Sequence, residues 1–140
     1  MDVTVIPTAW ATSPDARRHF EIDVESQQWT MPDPLHPNAT IWEGDSPPAT
    51  VTMGELPPGV TCNNLRHEGS QGLHDHWSFD IVVSPKVPPG SYDIPLHISE
   101  PFIEKDREGI ENTRIHTDIA LPLTVRQFPR LTHPQAPPVR

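Results

Sequence analysis

The chain has one cysteine, Cys62, in 140 residues, so no internal disulfide can staple it. The neighbours Val60-Thr61-Cys62-Asn63-Asn64 carry no nucleophile signature, and the thiol reads as a small buried apolar residue. Basic residues are scarce: ten Lys and Arg stand against 19 Asp and Glu, a net charge of −9. That balance opposes attraction to nucleic acid phosphates and to anionic lipid, and neither is an expected partner. No window approaches the roughly 18 apolar residues of a membrane-spanning helix. The opening Met1 to Pro7 lacks a basic region followed by an apolar stretch, as expected of a chain kept or assembled in the cytoplasm where it is made. Gly-x-Ser-x-Gly, P-loop and dinucleotide fingerprints are all missing, so nucleophilic and phosphate chemistry have no support and no cofactor is expected.

Proline, by contrast, is abundant. Nineteen of them oppose long helices along much of the chain, because each lacks a donor and clashes with the preceding turn. Between them run short segments rich in β-branched and aromatic residues, several alternating with period two. The expected strands are Val3 to Ile6, His19 to Glu25, Thr40 to Trp42, Ala49 to Leu56, Val60 to Leu65, Trp77 to Val83, Tyr92 to Ile98 and Ile115 to Val125. Phe20, Ile22 and Val24 share one face, as do Trp77, Phe79, Ile81 and Val83. The prediction is an all-β, antiparallel sandwich of about seven or eight strands over residues 1–127, followed by a proline-rich, extended tail over 128–140. Pro32 to Pro37 reads as an irregular loop, and Glu104 to Asn112 as a charged, exposed tip.

Two Pro-Pro-Gly units, Pro57-Pro58-Gly59 and Pro88-Pro89-Gly90, fit type II turns with glycine at the positive-φ position. The succession of Leu56 to Cys62, Trp77 to Val83 and Val87 to Leu96, with its Pro-Pro-Gly-x-Tyr corner, resembles the late strands of bacterial and phage immunoglobulin-like domains. The resemblance spans roughly residues 50 to 126. It implies an immunoglobulin-like sandwich without shared catalytic residues, and it marks Tyr92 as a corner tyrosine tied to the backbone. Trp77, Gly59 and Gly90 join Tyr92 as expected structural positions.

His74-Asp75-His76 is the sharpest local signal for chemistry, since residues two apart on a strand point the same way and two imidazoles can grip one ion. The pair resembles half of the first cupin motif, with Asp80 near the place of that family's glutamate, but the second motif has no counterpart. A small cupin-like metal enzyme would need further ligands from His67, His97 or His116; the plainer reading is a solvated strand edge, with no metal. Acid pairs such as Glu21 with Asp23, or Asp106 with Glu108, read as ordinary solvated charge. Trp10, Trp29 and Trp42 lie beside loops where they can be exposed, and with Phe128 and Pro129 they form the expected interaction set. The chain therefore reads as a non-catalytic binding or structural module docking on a larger protein assembly. The specific expectation is an immunoglobulin-like decoration protein of a phage capsid, located in the virion. A carbohydrate-binding or adhesion module at the cell surface is the rival, and a homo-oligomer is compatible with either.

Overall fold

The computed structural model describes the backbone of residues 1–26, 30–33, 36–42, 49–105 and 110–127, and the side chains of 1–26, 49–100 and 115–127. Its strands are β1 (Asp2–Ile6), β2 (Trp10–Thr12), β3 (Ala16–Glu25), β4 (Thr30–Asp33), β5 (His36–Trp42), β6 (Thr50–Met53), β7 (Val60–Gln71), β8 (His74–Val83), β9 (Gly90–Lys105) and β10 (Ile110–Val125). Two four-stranded sheets run β1-β3-β8-β7 and β2-β10-β9-β6, while β4 and β5 pair with each other.

That order is the immunoglobulin arrangement: β1, β3, β8 and β7 take the places of its A, B, E and D strands, and β6, β9 and β10 those of C, F and G. The first strand is split between the sheets. β1 pairs antiparallel with β3, and after the cis Ile6–Pro7 bond β2 runs parallel to β10, so the sandwich is antiparallel except at that one pair.

The period-two rows meet as their spacing requires. Phe20, Ile22 and Val24 from β3 and Phe79, Ile81 and Val83 from β8 face Ile94, Leu96 and Ile98 from β9 and Leu121, Leu123 and Val125 from β10, all buried. Phe20 and Phe79 stack with centroids 5.0 Å apart and rings 2° from parallel, and Trp10 meets Phe20 edge-on at 6.1 Å. Every apolar side chain in these rows leaves water, the dominant favourable term for a chain without a disulfide.

The edges differ from the expected ones where polar residues hide a strand. β7 runs on to Gln71 and β8 starts at His74, because the hairpin between them closes on the two-residue turn Gly72-Leu73. β6 is shorter than the expected Ala49 to Leu56. Pro32 to Pro37 is not an irregular loop. Most of it belongs to the β4–β5 hairpin, whose register shifts between Pro32 and Asp33, and a two-stranded ribbon has outward edges where proline's missing N–H costs nothing. The expected charged tip is likewise strand up to Lys105 and from Ile110. The tail from residue 128 lies outside the described residues.

Of the two expected type II turns, one forms. Val60 N–H donates to Pro57 O at 3.0 Å across Pro58-Gly59, with Gly59 at φ 84°. Gly90 has no positive φ; it begins β9, and the preceding turn is instead Ser84 to Val87, closed by a 3.2 Å hydrogen bond. The stretch Val87-Pro88-Pro89 carries the chain to the corner, where Tyr92 Oη donates to Pro88 O at 2.7 Å.

Candidate functional site

Alternation along β3 and β8 turns Arg17, His19, Glu21, Asp23, His74, His76 and Asp80 to the outer face of their sheet. Register then decides which of them meet. Asp23 lies opposite His76, and Glu25 opposite His74. The Asp23 carboxylate sits between the two imidazoles, with Oδ2 2.9 Å from His74 Nδ1 and Oδ1 3.4 Å from His76 Nδ1. The Asp23 hydrogen bond and charge, aided by Glu25, raise the pKa of His74.

Asp80 is not part of that group. It accepts from Arg17 Nη2 at 2.8 Å and Asn64 Nδ2 at 3.0 Å, and its other oxygen is 2.8 Å from His19 Nδ1. These contacts, Arg17 first, hold its carboxyl far below the usual carboxylate range. Arg66 Nε donates to Glu68 at 2.7 Å, and Ser78 Oγ donates to the same carboxylate, which lowers the pKa of Glu68. A shallow hollow of about 650 Å³ lies over this face, lined among others by Thr4, Ile6, His19, Asp23, Arg66 and His76.

The remaining sequence-expected ligands go elsewhere. His67 Nε2 is 3.3 Å from Asp75 Oδ1 and 3.2 Å from Ser70 Oγ, and its ring leans on Trp77. His97 Nδ1 pairs with Asp118 at 2.5 Å on the opposite sheet, which also carries His116. Among the described residues, no three His, Cys, Asp or Glu side chains are placed to hold a metal ion.

Ser70, His67 and Asp75 bring triad residue types together, but the geometry is that of a structural clasp. Both imidazole contacts fall on Nε2, and the Ser70 hydroxyl donates to Asp75, so the ring does not bridge serine and carboxylate through its two different nitrogens as a proton relay requires. Asp75, 6 % exposed, also accepts from Ala49 N–H at 3.0 Å, and Trp77 Nε1 donates to Ala49 O at 3.2 Å. The clasp thus fastens the start of β8 to the start of β6, tying the two sheets together at that end. In the sequence its one signal was an acid in the inward register of β8.

The expected interaction residues separate as follows. Trp10 is buried at 9 % exposure against Phe20, which removes it from any exposed set: its position opens β2, and the aromatic ring seals the core beneath the chain crossing. Trp29, Phe128 and Pro129 lie outside the described residues, and Trp42 ends β5 with its side chain outside them. Cys62 is half-buried, and burial followed by the Asp80 charge pushes its thiol up, away from reactivity.

No protein-family model and no curated protein sequence matches the chain. Among solved structures it is similar to AggA, the major subunit of aggregative adherence fimbriae type I from Escherichia coli, at 14% identity over 89% of this chain and 93% of that one, with a TM-score of 0.38. The fold rests on the strand order above.

Proposed function

We propose that the chain is a non-catalytic module that docks on a larger protein assembly through one end of its sandwich. The carrying observation is a projecting ribbon. β9 and β10 stay paired from Gly90 with Val125 out to Lys105 with Ile110, whereas β6 leaves β9 at Ser99 and β2 pairs only with Leu123 to Val125. Residues 100–105 and 110–115 therefore form two strands without a third, among the described residues. The β3-to-β6 connection and the β7–β8 turn emerge at the same end, as Ser26 N–H donating to Leu73 O and the Asp75–Ala49 bond show. Three connections gathered on a rigid sandwich are the usual way this fold presents a binding surface.

The outer-face ionisable groups support the same reading, since His19 is paired with Asp80, His74 with Asp23, and Glu68 with Arg66 and Ser78. The specific form we propose is an accessory protein of a virion, decorating the capsid. Its rival is an adhesion module on the cell surface. Immunogold labelling of the producing cells and of particles released from them tests both: label on particles supports decoration, label on envelopes supports adhesion, and label confined to soluble cytosol defeats docking altogether. Replacing residues 103–112 by an Asn-Gly turn should abolish the labelling pattern while the variant keeps its far-ultraviolet dichroism and melting temperature.

A further inference from the structure

Strand edges are sites of unwanted pairing, and three edges of this sandwich are blunted. β7 is interrupted by register shifts between Asn63 and Arg66 and between His67 and Gly69, while β1 and β6 have only five and four residues. The remaining edge leaves a longer run open than β6 leaves on β9, where residues 100–105 have no third strand among the described residues. β2 covers just Leu123 to Val125 of the 16-residue β10, so residues 110–122 have no strand on that side among the described residues.

Which backbone groups face this opening follows from the ladder. Arg126 N–H donates to Thr12 O at 2.8 Å, so even-numbered residues of β10 turn their amides toward β2 and away from β9. The prolines agree: Pro122 opposite Asp93, Pro95 opposite Ala120 and Pro101 opposite Arg114 all occupy pairs that exchange no hydrogen bonds between β9 and β10. The N–H and C=O groups of Arg114, His116, Asp118 and Ala120 thus point outward. Pro122, with no N–H to offer, ends the run.

The side chains along this edge are complementary to themselves. Ile115-His116-Thr117-Asp118-Ile119, laid antiparallel on its own copy about Thr117, sets Ile115 against Ile119, His116 against Asp118 and Thr117 against Thr117. Parity is right as well, because the even residues that meet are the ones whose amides face out. His116 and Asp118 are exposed, while Ile115, Thr117 and Ile119 are half-buried beneath them with one flank uncovered. Asp118 Oδ1 already holds His97, which leaves Oδ2 for a second imidazole and would make a row His97, Asp118, His116 across the junction.

We propose that the chain forms a twofold dimer in which the β10 edge pairs antiparallel with the β10 edge of a second copy, centred on Thr117. The four outward pairs, Arg114 with Ala120 and His116 with Asp118 each occurring twice, would exchange about eight backbone hydrogen bonds and join the two β2-β10-β9-β6 sheets into one. This rests on backbone register and not on the docking role proposed above.

Light scattering after size exclusion, on the full chain at about 100 µM, reads the outcome directly. A dimer is expected, weakened at least about tenfold by His116→Asp, which sets like charges opposite each other at two places. Adding Asp118→Lys to that variant should restore it. Ala120→Pro removes an outward N–H without touching a β9–β10 hydrogen bond, so it should give a folded monomer that keeps the far-ultraviolet dichroism of the native chain. In a Cys62→Ala background, Thr117→Cys should crosslink under mild oxidation, and Ile115→Cys should not. A monomeric native chain overturns the proposal, as does a dimer indifferent to both His116→Asp and Ala120→Pro, or crosslinking at Ile115→Cys in place of Thr117→Cys.

Discussion

Asp80 takes hydrogen bonds from strands on both sides of β8: Arg17 and His19 from β3 and Asn64 from β7. Its carboxylate is mostly covered, at 13% exposure, whereas Arg17 is 58% exposed, so water screens part of each pairing. Because the folded pKa lies below the unfolded value of 3.8, the stabilisation is complete above that pH and is lost as pH falls through the folded value. Asp80→Asn should therefore cost roughly 1–2 kcal/mol at pH 7 and progressively less below about pH 4, measured by urea unfolding. His74 has the opposite sign. Its folded pKa is raised above 6.5 by Asp23, so its contribution is full below that pH and disappears as pH rises through the folded value. His74→Gln should lower the urea midpoint at pH 6 and leave it unchanged at pH 9. The His-x-His spacing was legible in the sequence, but its partner was not: Asp23 is 51 residues from His74, and only the β3–β8 register brings them together.

At the scale of elements, β3 and β8 lie side by side, and Phe20 on Phe79 is their closest aromatic contact. Phe79 is fully buried, so Phe79→Ala removes the stacking partner and leaves a cavity costing about 3–5 kcal/mol, visible as a large fall in melting temperature. The turn entering β7 is also sensitive. At Gly59 an added Cβ would lie 2.8 Å from Val87 Cγ2 and would adopt φ 84°, so Gly59→Ala should cost about 1–3 kcal/mol by thermal unfolding. This turn could be read from Pro58-Gly59 because its demands are local. The identical Pro89-Gly90 dipeptide behaves differently because β9 pairing with β10 begins at Gly90 and draws it into extended backbone. Local chemistry proposes a turn, and ladder formation overrides it.

Across the whole molecule, the core belongs to both sheets at once. Trp10 from the β2-β10-β9-β6 sheet packs on Phe20 of the other, and the Asp75 and Trp77 bonds to Ala49 fasten the opposite end. Among the described residues neither sheet has a second core to fall back on, so urea unfolding followed by tryptophan fluorescence and by far-ultraviolet dichroism should give coincident transitions. Separate midpoints would show sheets that melt independently. The amino-acid sequence alone determined the all-β class and the inward rows, since period-two alternation, proline density and turn chemistry act over a few residues, while the corner tyrosine came from the resemblance to immunoglobulin-like domains. Which histidine meets which acid, that Trp10 is a core residue, and that β10 carries an open, self-complementary edge were decided only by tertiary structure. Each of those depends on register and on neighbours far away in the chain, and a single sequence records no pairing between strands.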